Sequence, residues 1–243
     1  MMIYILIIAH FLADFTFQTT KMAQRKLNSF KYLIYHAIIY AAIFLIAMFP
    51  LVKFQKAILP YIMIICSHFF IDWLRTIVDK KFSRKSIIFA SFIVDQILHV
   101  LILVVLNYAY NLGAETTSLY DYIQQWQYSN RLVIYCLTFV ILWDPTAVFI
   151  KKLFLFIDDG DSSNQEENDP QVGRIIGKLE RIIVSVLILC NQFGAVGFVL
   201  TAKSIARYKQ LEDKNFAEKY LVGTLTSIAI AFITTLVLKV FLQ

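Results

Sequence analysis

Seven predominantly apolar runs, each about 20 residues long, divide the chain: near 1 to 18, 31 to 52, 58 to 78, 86 to 108, 131 to 153, 181 to 202 and 220 to 242. A helix needs about 20 residues to cross the roughly 30 Å hydrocarbon layer of a bilayer. Inside that layer every backbone N–H and C=O must find a partner within the protein, which leaves helices as the spanning form for runs of this length. The expected fold is therefore all-α, a polytopic transmembrane helix bundle of about seven spans, or six if the run at 181 to 202 is re-entrant. Composition agrees, since 59% of the residues are hydrophobic and only 16% charged, too apolar for a domain with a wet surface.

The first run, MMIYILIIAH, has no basic flank and no small-residue cleavage site, so it reads as a span rather than a removed signal. Cys66, Cys136 and Cys190 each stand alone in apolar sequence without CxxC spacing. They imply neither a disulfide framework nor a thiolate metal site, and are expected to be packing residues. The net charge of +6 implies no nucleic-acid partner, because in a membrane protein the placement of Lys and Arg mainly sets orientation.

Lys21, Arg25, Lys26 and Lys31 lie between the first two spans, and Arg75, Lys80, Lys81, Arg84 and Lys85 between the third and fourth, whereas 109 to 130 holds no Lys or Arg. The positive-inside rule then puts the N-terminus outside and both basic loops in the cytoplasm. The reading gives a four-helix bundle with a metal site over 1–108, a connector and fifth span over 109–157, a flexible cytoplasmic loop over 158–173 and C-terminal helices over 174–243, all in one integral membrane domain. A crossing sixth span would leave Lys203, Arg207, Lys209, Lys214 and Lys219 outside, against the rule. The alternative is a re-entrant segment interrupted by Asn191, Gln192, Gly194 and Gly197; crossing is the favoured expectation.

All four histidines, His10, His36, His68 and His99, fall in the first four spans. Three have an aspartate four residues away, in AHFLAD (Asp14), SHFFID (Asp72) and DQILH (Asp95), and positions i and i+4 share a helix face. The order is HxxxD on the inward-running helices and DxxxH on the outward one, so each aspartate is nearer the cytoplasm. All seven side chains lie about 4 to 12 positions from the cytoplasmic helix ends, or about 6 to 18 Å at 1.5 Å per residue. An aspartate in the middle of a spanning helix costs about 2.5 to 3.5 kcal/mol, which a cation offsets. Seven nitrogen and oxygen donors, His10, Asp14, His36, His68, Asp72, Asp95 and His99, exceed the four that one zinc takes. They suit two divalent ions of zinc, manganese or iron. Asp14 or Asp95 is the candidate general base. Hydrogen-bonded helix pairs or a proton relay are the blander alternative. Gln18 and Lys26 are weaker candidates for binding substrate, and Glu180, Arg181 and Lys203 read as snorkelling ends of the sixth span.

The motifs AHFLADFTFQ, Lys26 to His36, SHFFIDW, FIVDQILH, GRIIGKLER, AKSIARYKQLED and AEKYLVGTL resemble bacterial membrane proteins catalogued as domain of unknown function 3307. That resemblance implies a multi-pass protein of the bacterial inner membrane and names no activity. A looser likeness is to inner-membrane proteins labelled metal-dependent hydrolases. The outer halves of the first four spans carry no ionisable side chain except tyrosine, which suits catalysis better than transport. The working expectation is a hydrolase acting on a phosphoryl or acyl group of a small-molecule or lipid substrate, with membrane lipids as surroundings and a homo-oligomer left open. A divalent metal or proton transporter and a metal-stabilised scaffold are the rivals.

Overall fold

The structure, a computed structural model, describes residues 1–27, 29–82, 84–157 and 170–242. The tract expected to form a flexible loop lies largely outside the described residues. Among those residues are ten α-helices: α1 (Met2–Phe11), α2 (Thr20–Lys26), α3 (Phe30–Met48), α4 (Phe54–Lys81), α5 (Lys85–Ala109), α6 (Ser118–Gln125), α7 (Ser129–Ile157), α8 (Pro170–Leu189), α9 (Phe193–Ala206) and α10 (Lys214–Val240). Five of them, α3, α4, α5, α7 and α10, are long and apolar enough to cross a bilayer, and the bent pair formed by α1 and α2 makes six. The chain is an all-α, multi-pass membrane protein. Its contacts divide it inside α7 into two compact units, Met1–Leu137 and Thr138–Gln243.

In the first unit α1 packs on α3 and α5, α3 on α4, and α4 on α5, which closes a ring of four helices. Each turns an apolar stripe inward: Leu6, Ala9 and Ala13 from the first segment, Tyr40, Phe44 and Met48 at four-residue spacing on α3, Ile64 on α4, and Leu103 and Leu106 on α5. The opposite faces stay apolar but exposed, as at Ile38, Leu45 and Ile46 on α3 and Ile97, Leu101 and Val105 on α5. Such faces are what lipid covers. Cys66, Cys136 and Cys190 are free and exposed, so they face outward instead of packing. At the end of the ring away from the histidines, Lys53 N–H bonds to Glu115 O (2.9 Å) and Thr117 N–H to Leu51 O (3.0 Å).

The first span does not continue as one helix to residue 18. It passes into a π-helical turn over Leu12–Thr16, where Phe17 N–H reaches Leu12 O at 2.9 Å. The chain then bends by 84° into α2. Thr19 Oγ1 accepts from Met22 N–H (3.2 Å) and caps the new helix. Gln18 is therefore off the helical face that carries His10 and Asp14.

The second unit overturns the crossing helix at 181 to 202. α8 stops at Leu189, Asn191 takes a left-handed φ of 60°, which asparagine tolerates better than most residues, and α9 folds back beside α8. Lys203 Nζ meets Glu180 Oε2 at 2.5 Å and Thr224 Oγ1 at 3.1 Å. At the hairpin tip, Lys239 of α10 reaches Asn191 Oδ1 (2.7 Å) and Ile188 O (3.3 Å). The hairpin returns Lys203, Arg207, Lys209, Lys214 and Lys219 to the side where α8 begins.

Glu180 and Arg181 are not snorkelling ends either, being only 5% and 3% exposed. Pro145 in α7 has no N–H, so the carbonyl of Ile141 loses its helical donor. Thr146 Oγ1 supplies one at 2.8 Å. Beside that kink Arg181 donates to the carbonyls of Leu142 (2.7 Å) and Trp143 (3.3 Å) and to Ser227 Oγ (3.2 Å). Lys178 pairs with Asp144 one turn away.

The hairpin makes a topological prediction. In a protein freed of its own cysteines, Gly173→Cys and Tyr208→Cys should react with an impermeant maleimide from the same side of sealed vesicles, and Gln192→Cys from the other. Labelling of 173 and 208 from opposite sides would restore the crossing helix.

Candidate metal centre

Four imidazoles and three carboxylates converge at one end of the first unit because each helix of the ring presents the same turn to its axis. His10 ends α1, Asp14 lies in the π-helical turn, His36 is in the second turn of α3, His68 and Asp72 are one turn apart on α4, and Asp95 and His99 are one turn apart on α5. All seven are 9% exposed or less. The shared-face expectation for the i, i+4 pairs holds, with the histidines deeper in the bundle. A π-helical turn widens the helix by one residue per turn and is often found at functional positions. Here it carries Asp14 to the ring's axis.

Four of the atoms form a compact figure. His36 Nε2 lies 3.1 Å from His68 Nε2, 3.2 Å from Asp14 Oδ1 and 3.3 Å from Asp72 Oδ2. His68 Nε2 lies 3.5 Å from Asp14 Oδ1 and 3.6 Å from Asp72 Oδ2. Tetrahedral ligands at bond lengths of about 2.0 to 2.2 Å are about 3.3 to 3.6 Å from one another. The donors of His36, His68 and Asp72 lie within 4.8 Å of one another and make a three-residue group; Asp14 Oδ1 touches the two histidines from the other side and is not part of it.

A second group, His10, Asp14, His68 and His99, brings its donor atoms within 4.8 Å of one another. It is more open, with His10 Nε2 4.0 Å from Asp14 Oδ2. Asp14 turns Oδ1 toward His36 and His68 and Oδ2 toward His10. Asp14 Oδ1, His68 Nδ1 and both ring nitrogens of His99 are buried without a hydrogen bond. Buried polar atoms rarely go unpaired unless a water or an ion completes them.

Asp95, expected among the ligands, falls outside both groups. Its Oδ2 accepts from Arg75 Nη1 (2.9 Å) and from Gln96 Nε2 (3.0 Å), and lies 3.9 Å from His99 Nδ1. Arg75 in turn reaches Asp79 Oδ2 (3.6 Å), and Ser91 Oγ donates to Asp79 Oδ1 (2.6 Å). Through Oδ2, Asp95 is an ion-pair partner that anchors α5 to α4, while its Oδ1 is buried without a hydrogen bond, like the unpaired atoms of Asp14 and His99.

Lys26, a candidate for binding substrate, reaches into the site. Its Nζ donates to Asp72 Oδ2 at 2.5 Å with only 10% of the side chain exposed. With its amide oxygen turned toward Lys26, Gln18 accepts from that ammonium (2.9 Å) and donates to the Asp14 carbonyl (3.0 Å). Arg25 is engaged elsewhere, on the hydroxyl of Tyr32 at 2.6 Å.

Two residues of the site escaped the sequence reading. Gln96 donates to Asp14 Oδ2 (3.3 Å) and faces His10 Nε2 through Oε1 (3.4 Å). Tyr40 stacks on His68, ring centroids 3.5 Å apart and 7° from parallel, and its hydroxyl lies 3.3 Å from His10 Nδ1. Tyr40 had a signal, standing four residues after His36 on the same face. Gln96 had none, since it follows Asp95 directly.

A family model described as a protein of unknown function (DUF3307) matches residues 2–129, just over half of the chain. The chain belongs to the DUF3307 family. The matched stretch holds all seven predicted ligands together with Gln18, Lys26, Tyr40 and Gln96. The C-terminal motifs GRIIGKLER and AKSIARYKQLED lie beyond the DUF3307 match. No curated protein and no solved structure matches the chain.

The Arg75 ion pair yields a stability prediction. Arg75→Ala leaves Asp95 buried and unpaired, which should cost about 3 to 5 kcal/mol, and replacing both partners with apolar residues should recover most of that loss. Denaturation in detergent reads both; an Arg75→Ala protein as stable as its parent would show that Asp95 draws its compensation from another group.

Proposed function

We propose that this protein is a membrane-embedded, metal-dependent hydrolase whose His/Asp cage holds two divalent ions and opens to the cytoplasmic side of the bacterial inner membrane. The observation that carries the reading is a pair of buried donor groups that share His68, one of His36, His68 and Asp72 and one of His10, Asp14, His68 and His99, each with its ligand atoms within 4.8 Å of one another. Sidedness rests on the basic residues Lys21, Arg25, Lys31, Lys80, Lys81 and Lys85, which cluster at the end of the ring where the cage lies.

His36, His68 and Asp72 would hold one ion, and His10, His68 and His99, with Asp14 Oδ1, the other. When bound, such ions lower the pKa of a water toward neutrality and polarise the oxygen of the group under attack. Asp14 Oδ2, which faces Gln96 and would be left out of that ligation, is placed to take the proton of the attacking water. Gln96 fixes the rotamer of Asp14 and links it to Asp95. Stacked Tyr40 fixes the plane of His68.

Transport is less well supported. Beyond the cage the ring is filled by Leu6, Tyr40, Phe44, Met48, Ile64, Leu103 and Leu106, all buried, so the polar groups open toward one side of the membrane. A site with a single mouth suits turnover.

Elemental analysis of detergent-purified protein should find divalent metal near two ions per chain. His36→Ala should lose about half of it, His68→Ala nearly all, and Asp95→Asn little. Gln96→Ala should weaken metal affinity by about 10- to 100-fold, as loss of a residue that orients a ligand does. Hydrolysis of phosphoryl and acyl esters should disappear with His68→Ala and Asp72→Ala. Protein without stoichiometric metal, or metal content unmoved by His68→Ala, refutes the reading.

A further inference from the structure

The charges around the cage select among substrates. Asp14, Asp72, Asp95 and Asp79, which shares Arg75, bring four negative charges and Lys26 and Arg75 return two, so with neutral imidazoles the centre and its ion pairs carry two net negative charges. One divalent ion brings that to zero, and two bring it to plus two. In a site of low dielectric an excess of that size calls for an anion.

Lys26 is where the excess becomes directional. Its ammonium sits 2.5 Å from Asp72 Oδ2, the same oxygen that faces the Nε2 atoms of His36 and His68. A metal ion bound to that oxygen repels the ammonium and takes over its partner. Lys26 then stands at the edge of the centre, held by Gln18, as a cation without an anion. Lysine in this position binds phosphate as a point charge.

α2 supplies the membrane-facing rim of the site. None of its residues is buried, and it leaves the first span at 84°, so it lies across the cage end of the ring. Phe17, Leu27 and Phe30 beside it are 53%, 38% and 57% exposed. Lys26 points inward from a rim that offers apolar side chains outward. An aromatic and basic rim of this kind belongs at the headgroup level of a bilayer.

We infer that the substrate is a phosphate monoester on an amphiphile, entering from the cytoplasmic leaflet beside α2, with Lys26 exchanging Asp72 for the substrate phosphate when the cage is metal-loaded. The inference rests on the metallohydrolase reading and narrows it from phosphoryl or acyl to phosphoryl. In the reaction water gives its oxygen to phosphorus, the ester P–O bond breaks, and the leaving alcohol oxygen takes up the proton that water released. The products are inorganic phosphate and the alcohol.

The test uses the full chain, zinc-loaded in detergent, with dioctanoyl phosphatidic acid, glycerol 3-phosphate and the neutral ester 4-nitrophenyl octanoate as substrates, and with inorganic phosphate as a binding probe in calorimetry. Phosphate should be released from the phosphatidic acid with kcat/KM at least tenfold above that for glycerol 3-phosphate. Lys26→Ala should weaken inorganic phosphate binding and raise KM at least tenfold with bound zinc unchanged, and Lys26→Arg should recover most of the loss. Equal turnover of glycerol 3-phosphate overturns the amphiphile. Cleavage of the neutral ester alone, or zinc-loaded protein that binds no phosphate, overturns the phosphate monoester and leaves the hydrolase reading standing. Loss of zinc from Lys26→Ala and Lys26→Arg alike makes Lys26 a structural residue and overturns its assigned role. Protein that binds no zinc or other divalent metal removes both readings.

Discussion

A carboxylate buried among apolar helices needs a positive partner, and Asp14 has none of its own. Asp72 has Lys26 and Asp95 has Arg75, so two of the three insertion costs, about 2.5 to 3.5 kcal/mol each at the centre of a span, are met by the chain itself. Asp14 receives one amide hydrogen from Gln96 and otherwise faces the ring nitrogens of His10, His36 and His68. Neutral imidazoles offset a full negative charge poorly. The rest of the first unit is organised around that deficit. A π-helical turn carries Asp14 to the axis, four helices close round it, and no lysine or arginine is paired with it.

The helical class and the position of the site were legible because both depend on short sequence periods. Spans α3, α4, α5, α7 and α10 follow from apolar runs, and the convergence of His68 with Asp72 follows from i, i+4 spacing together with the direction of each helix. What depends on distant pairing was not legible. Arg75 reaches Asp95 across 20 residues and Lys26 reaches Asp72 across 46, and nothing in either local pattern separates a basic side chain that folds inward from one that stays in a loop. The hairpin of α8 and α9 failed for a different reason. Its apolar length is sufficient for one span, and of the interruptions at Asn191, Gln192, Gly194 and Gly197 the break falls at the polar pair Asn191 and Gln192. Whether such a pair ends a helix depends on partners for its amides, and Lys239, 48 residues away, supplies one.

The break after Thr16 has two effects from one cause. By ending the first span early it frees the backbone near Asp14, whose carbonyl Gln18 then reaches. By turning the chain through 84° it brings the last turn of α2 over the cage, which a straight helix ending at residue 26 would have carried about 12 Å further along its axis at 1.5 Å per residue. The lysine that neutralises Asp72 is therefore available only because the helix carrying Asp14 is interrupted. Two of the three carboxylates owe their surroundings to the same irregularity.

The second unit also buries charge in a membrane bundle, and the comparison explains why only the first reads as a metal centre. There Lys178 meets Asp144, Lys203 meets Glu180, and Arg181 spreads its charge over two carbonyls beside a proline kink and the hydroxyl of Ser227. Three cations face two carboxylates, so the balance is positive and a further cation is repelled. Glu180 Oε1 lacks a hydrogen bond, yet its other oxygen is held by Lys203 and no imidazole stands near to complete a donor set. Carboxylates in excess of cations, with imidazoles between them, occur in the four-helix ring alone among the described residues. The sign of the residual charge, more than the number of buried ionisable groups, separates a cage that attracts metal from a network that locks a hairpin.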